Sequence, residues 1–267
     1  MIAATLDSWN DPLLDALARE MSGGAPAIAC VPAADAAWQL LEQQVTMGLV
    51  HPLVAGRNTA ELSLIEGAGI FAVGPTADSL LVFNPGLRDF SSIAVRALDD
   101  PDSILASVVL REKFDMSPVL RQYEGPIDDA LRLCDAVLVT GSDAVARAEG
   151  RATIDIVDEW YDFTELPFPR AVAAAWNHLV TQPEVDALAR AAATADRQSL
   201  DLLEERMKDQ ALGDLMHLVP GHYRYTLDED ALEGMTEFLR LAFLHGLSRD
   251  IPTFKFWSEL GEDASES

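Results

Sequence analysis

The chain is expected to fold as a two-lobed α/β protein, and three features of the sequence lead there. Between residues 91 and 141, short apolar β-branched runs alternate with amphipathic stretches, the β-α-β-α-β succession that gives a parallel sheet covered by helices. The 267 residues, 49% hydrophobic and 24% charged, suffice for one large domain or two smaller lobes, each with its own core. No linker, repeat or low-complexity segment divides them, so the lobes should pack together with the chain passing between them more than once.

Taken in order, IAATL (2–6) reads as a short strand, followed by the turn Ser8-Trp9-Asn10-Asp11-Pro12. LLDALAREM places Leu13, Leu14, Leu17 and Met21 on one helical face, and Ser22-Gly23-Gly24 ends it. AIACV (27–31) is a buried strand, and 33–44 reads as helix. From Val50 to Phe83 the runs LVAG, LIEGAGIFAVG and SLLVF read as strands crossing between the lobes. SSIAVRAL (91–98) is strand-like, and Asp99-Asp100-Pro101-Asp102-Ser103 opens the helix ILASVVLREKF. VLRQYE is a strand, IDDALRLC a helix and DAVLVTG (135–141) a buried strand. From Ala171 the composition predicts helices over 171–180, 183–208, 209–218 and 228–247, then the small, acidic, frayed tail GEDASES.

Charge narrows the function. With 44 Asp and Glu against 19 Lys and Arg, the formal net charge is −25. Nucleic acid and anionic membrane both demand a positive footprint and are excluded as partners. No run approaches 18 uninterrupted apolar residues, so no transmembrane helix is expected. The N-terminus lacks a basic n-region and a long apolar run, which points to a cytoplasmic protein without a signal peptide. Cys30 and Cys134 lie far apart and outside any CxxC or Cys/His cluster, which speaks against a disulfide scaffold or structural zinc. His51, His178, His217, His222 and His245 are scattered at no metal-ligand spacing, and no metal is expected.

Nucleotide and hydrolase motifs are missing too: Gly67-x-Gly69 runs into Phe71–Val73 rather than a helix. Two turns remain. Gly74-Pro75-Thr76 precedes a strand and either aims backbone N–H groups at a ligand or is a plain turn. The 99–103 cluster either caps its helix or offers the helix N-terminus to a carboxylate; its three aspartates favour the cap.

At 155–176 the string DIVDEWYDFTELPFPRAVAAAW resembles the futalosine-route enzymes of menaquinone biosynthesis, in which E-W-x-x-x-T-x-L-P-F precedes an apolar run. DAVLVTGSDAV (135–145), RYTLDEDALEGMTEFLRLAFLHGL (224–247) and PTADSLLVF (75–83) match further stretches in the same order, so the similarity spans about Ala27 to Trp257. The resemblance implies a type II periplasmic-binding-protein-like fold closing over a small anionic substrate, with residues 1–83 and 172–267 in one lobe and 84–171 in the other. The nearest class is chorismate dehydratase, which forms 3-[(1-carboxyvinyl)oxy]benzoate from chorismate with no metal or redox cofactor. The sister class makes 1,4-dihydroxy-6-naphthoate, and its opening P-N-D motif is echoed by Trp9-Asn10-Asp11.

On this resemblance Asn10 is the residue carried over into the cleft, as the expected catalytic position. Asn10, Thr76, Ser79 and Ser103 would contact the substrate, and Arg57 or Arg96 would offset its charge. The chain also departs from the family. Ala33 and Ala34 follow Pro32 where serines are expected, and Ala72 and Val73 replace a serine-rich stretch. A carboxylate-binding turn falls on Arg96–Ser103, with Ser103 its one surviving hydroxyl. The segment from Asn10 to Ala27 is short for a helix, strand, helix succession: either a unit of the first lobe is missing, or the first strand is absent and Asn10 matches nothing. The resemblance leads first to a chorismate dehydratase-like lyase, with a non-catalytic binder of small carboxylates on the same scaffold or a 1,4-dihydroxy-6-naphthoate synthase-like enzyme as the alternatives.

Overall fold

The chain begins one sheet, leaves it to build a second, and returns to finish the first. The computed structural model describes residues 1–5, 8–20, 28–87, 89–176, 178–210 and 222–257. Strand β1 (Ile2–Thr5) leads through a 3-10 turn (Ser8–Asn10) into α1 (Asp11–Glu20). Then come β2 (Ile28–Val31), α2 (Ala33–Leu41) and β3 (Met47–Val50), with β1 parallel to both β2 and β3. A first strand therefore precedes Asn10, and the helix, strand, helix succession after it is present, carried on to Leu41.

The run LVAG (53–56), expected as a strand, lies inside α3 (Pro52–Arg57). Pro52 brings a φ suited to the first helical turn, and His51 Nδ1 accepts the Leu53 N–H at 3.2 Å as the cap. Strand β4 (Leu62–Val73) completes this pass, and Gly74, in the left-handed region at φ 66°, turns the chain towards the second sheet.

That sheet contains β5 (Ser79–Phe83), β6 (Ser92–Val95), β7 (Val119–Gln122), β8 (Ala136–Thr140) and β9 (Ala152–Asp155) in the order 7-6-8-5-9. Helix α4 (Pro101–Glu112) links β6 to β7, and α5 (Ile127–Leu133) links β7 to β8. β6 pairs parallel with both β7 and β8, as the alternating pattern predicts. β5, which the division at residue 83 left with the first lobe, pairs along its whole length with β8 and bonds β9 on its other edge. Helices α6 (Ala144–Arg147) and α7 (Ile156–Thr164) flank β9.

The return strand is the largest departure from expectation. The predicted helix at 171–180 is instead the end of β10 (Phe168–Trp176), antiparallel to both β3 and β4 in the middle of the first sheet. Alanine favours helices, but here both faces are covered. Ala171, Ala173 and Ala175 pack towards α1 and the following helix, while Phe168, Val172 and Ala174 join the opposite cluster. Small side chains suit a strand enclosed on both sides, and burial outweighs local propensity. Helix α8 (Gln182–Gln210), β11 (His222–Arg224) and α9 (Glu229–Leu244) finish the fold, the two helices near their expected positions.

Ser22-Gly23-Gly24, His217, most of the predicted 209–218 helix and the acidic tail lie outside the described residues. One apolar cluster runs through both lobes, joining Leu64 and Phe71 of the first sheet to Leu81 and Ile104 of the second through Trp160, Phe168 and Phe238.

Candidate functional site

Two short passages carry the chain between the sheets, residues 74–78 outward and 165–167 back. The return is built by the string that carries the family resemblance. Asp155 caps α7 by accepting the N–H groups of Val157 and Asp158 at 3.0 and 3.2 Å. Trp160, fully buried, donates its indole N–H to Leu166 O at 2.9 Å. Thr164 donates to Trp160 O at 2.8 Å and accepts from Leu166 N at 3.1 Å. Trp160, Phe168 and Phe238 meet edge to face with centroids 5.2 to 6.1 Å apart. The E-W-x-x-x-T-x-L-P-F pattern is thus a turn lock: it fixes where β10 starts and therefore where its third residue, Arg170, arrives.

Arg170 is 7% exposed, in a strand whose other residues are all apolar. Its Nη2 donates to Asp78 Oδ1 at 2.5 Å, and its Nη1 to Asp102 Oδ1. Asp78, on the outward passage, also accepts from Thr76 Oγ1 at 2.6 Å and from the Tyr223 hydroxyl. Asp102, in the first turn of α4, accepts from Ser79 Oγ at 2.9 Å. One guanidinium thereby joins the first sheet (Arg170, Tyr223), the crossing (Thr76, Asp78) and the second lobe (Ser79, Asp102).

Electrostatics follow the geometry. Burial works against the charge of Arg170, but Asp102 and Asp78 outweigh it and hold its pKa above the ordinary value. Burial raises Tyr223 and keeps it a neutral phenol. Asp100, the N-cap residue of α4, is pushed up to about 7 by burial and then by the charge of Asp102, against the pull of Arg170 and Arg96. Asp155 is pushed up to about 6 by burial, although it accepts the Ala77 N–H at 2.6 Å. That bond holds Ala77 in the left-handed region at φ 61°. His51 is lowered to about 3, first by burial and then by Arg170 and Arg57, so it is a neutral cap at neutral pH.

The expected site residues divide into two groups. Thr76 and Ser79 meet in the Arg170 cluster, each donating to an aspartate. Ser103 is fully buried and donates to Ala97 O at 2.7 Å, which tightens the loop before α4. Asn10, also fully buried, donates to Thr5 O and Thr5 Oγ1 at 2.9 and 2.8 Å, closing the end of β1. Arg57 is exposed at the end of α3, and Arg96 is exposed beyond β6. Asp78, Arg170 and Tyr223 are the members that motif reasoning missed, and Asp102 is the one that it reads as part of a helix cap. The available signal was an arginine inside FPRAVAAAW, since a cation in an apolar strand requires buried anions.

A cavity of about 400 Å³ opens beside Tyr223, lined by Tyr161, Glu165, Asp196, His222 and Arg224 among others. Among the described residues no group of three or more His, Cys, Asp or Glu is placed to hold a metal, and no helix is long and apolar enough to cross a membrane.

Two sheet-centred lobes joined by two crossings, with a polar cluster between them, define a type II periplasmic-binding-protein-like fold. The solved structure of an ABC transporter protein from Parabacteroides distasonis is similar (TM-score 0.61, 15% identity, 98% of this chain and 99% of that one). So are protein AF1704 from Archaeoglobus fulgidus (0.59, 16%, 92% and 97%) and the periplasmic aliphatic sulphonate binding protein SsuA from Escherichia coli (0.56, 13%, 94% and 94%). At these identities the likeness shows the fold alone. No curated protein matches the sequence. A family model described as menaquinone biosynthesis matches residues 31–243, and the chain belongs to that family.

Proposed function

We propose that this family member is a chorismate dehydratase-like lyase, converting chorismate to 3-[(1-carboxyvinyl)oxy]benzoate in the cleft between its lobes. One observation carries the reading: in a menaquinone-biosynthesis chain, a buried guanidinium stands at the junction of the lobes beside a carboxyl group with a pKa of about 7. The elimination breaks a ring C–H bond, forms a C=C bond and expels hydroxide, which leaves as water once protonated. A group that exchanges a proton near neutral pH suits that step, and Asp100 is assigned to it. Arg170 supplies the positive charge for a substrate carboxylate, the exposed Arg96 offsets the remainder, and Asn10 closes the end of β1. Incubating the pure protein with chorismate and separating the products by chromatography tests the reading. The dehydrated ether should accumulate above a buffer blank, and no turnover overturns it.

A second reading, a binder of small carboxylates without catalysis, is favoured by the internal partners of the hydroxyls: Ser79 and Ser103 both donate to acceptors of the protein itself. It predicts stabilisation without product, about 2.7 kcal/mol at a ligand concentration 100 times Kd.

A further inference from the structure

We infer that Arg170 is the receptor for a ligand carboxylate, and that Asp102 is the chain's own carboxylate occupying it, to be exchanged for the ligand's. This rests on the reading that the cleft takes a small anion, and it holds for the lyase and the binder alike.

Four observations support the exchange. First, a guanidinium carries five N–H donors, and Arg170 commits one terminal nitrogen to each aspartate while its buried Nε finds no acceptor among the described residues. The donor set exceeds what the described residues supply. Second, the fold does not require the charge: a buried ion pair replaced by apolar residues of similar volume is usually neutral or stabilising, so bracing alone leaves Arg170 unexplained.

Third, the two aspartates are held differently. Asp78 is clamped by Thr76 and Tyr223 as well as Arg170, with its side chain 10% exposed. Asp102 has Ser79 and Arg170, sits in the first turn of a helix and is 16% exposed. Asp102 is the partner that can swing out to water. Fourth, Asp102 reaches Arg170 from the opposite lobe, so the pair joins the two lobes and an exchange at Arg170 would release that tie. An intramolecular carboxylate competes with a dissolved one, and the apparent affinity is reduced by the fraction of molecules in which Asp102 holds the site.

The test is titration calorimetry with two probes, chorismate and benzoate, on the wild type and Asp102→Asn. Removing the competing charge while keeping its shape should tighten the binding of both at least tenfold. In the double variant Arg170→Gln/Asp102→Asn this gain should disappear, with folding verified by a cooperative melting curve. If that variant does not fold, Arg170→Lys/Asp102→Asn keeps a cation beside Asp78 but loses the planar fork, and should lose at least tenfold relative to Asp102→Asn. Equal or weaker binding in Asp102→Asn overturns the exchange, as does a gain that survives replacement of Arg170. If benzoate tightens while chorismate does not bind, the exchange stands and the chorismate reading falls. If chorismate binds wild type and Asp102→Asn equally, the exchange falls and that reading stands.

Discussion

The turn that launches β10 and the charged cluster that β10 delivers are neighbours built by opposite means. In the turn, Trp160 reaches Leu166 six residues on, and Thr164 bonds partners four residues back and two ahead. In the cluster, Arg170 meets Asp78 and Asp102 across 92 and 68 residues of sequence, and Tyr223 returns to Asp78 across 145. Local sequence and one aromatic nest suffice for the first. The second exists only when both sheets are in place, so its energetics report on the whole fold while the turn reports on itself.

Substitutions can break this contrast, and the largest effect belongs to the cluster. Arg170→Ala leaves two buried carboxylates without their cation and should cost about 3–5 kcal/mol, read as a lowered midpoint in urea unfolding. Replacing Asp78 and Asp102 by leucine in the same chain should restore most of that loss. A loss below about 1 kcal/mol in the single variant would show that the cluster is not coupled to the fold.

Gly234 of α9 probes the turn side. A Cβ there would lie 2.2 Å from Pro167 O, so Gly234→Ala must push the helix off the turn, at roughly 1–3 kcal/mol. The thermal midpoint should fall without any change in the pH dependence of stability.

On the cluster side, part of that pH dependence comes from Asp100. Asp100 titrates at about 7 when folded, against an ordinary 3.8. Below pH 4 it is protonated in both states, and above pH 7 ionised in both. Between these limits the folded state binds the extra proton, so this group's contribution to stability falls as pH rises from about 4 to 7. Asp100→Asn should flatten that fall by on the order of 1–3 kcal/mol, measured as urea midpoints at pH 4.5 and 7.5. Equal slopes in the two proteins would separate Asp100 from the cluster.

The smallest change is Ser79→Ala, which removes one donor from Asp102 and should cost about 1 kcal/mol. An unchanged unfolding midpoint would mean that Arg170 alone holds Asp102.

The same contrast governs what could be read from the sequence. The alternating 91–141 unit and the long helices announce themselves by period, because every bond they need lies within the segment. The 155–168 string was recognisable as a string, and its physical role proved to be architectural. β10 escapes the sequence because the alanines from Ala171 to Ala175 favour helix until the neighbours on both sides are known. LVAG reads as strand by itself because the decisive feature, His51 as cap followed by Pro52, lies before the run. Of the cluster, Thr76 and Ser79 stand out from a turn and a strand. Asp78 shares that turn with Thr76, while Asp102, Arg170 and Tyr223 come from three other segments, and no spacing in one dimension encodes their meeting. The apolar setting of Arg170 was the one visible hint, and it names a need for anions without saying which.

The order of the strands has a consequence for the chain as it is made. All five strands of the second sheet fall between residues 79 and 155, so this half leaves the ribosome in one piece. The first sheet cannot be completed until β10 follows, since β3 and β4 bond to each other only through it. At 5–20 residues per second, the 92 residues between Asp78 and Arg170 represent roughly 5–20 s of synthesis. Until Arg170 follows, the nascent chain carries Asp78, and for the last 68 residues Asp102 as well, without their counterion, and water must solvate them. Arrival of a single arginine then couples the second half to the closing of the first.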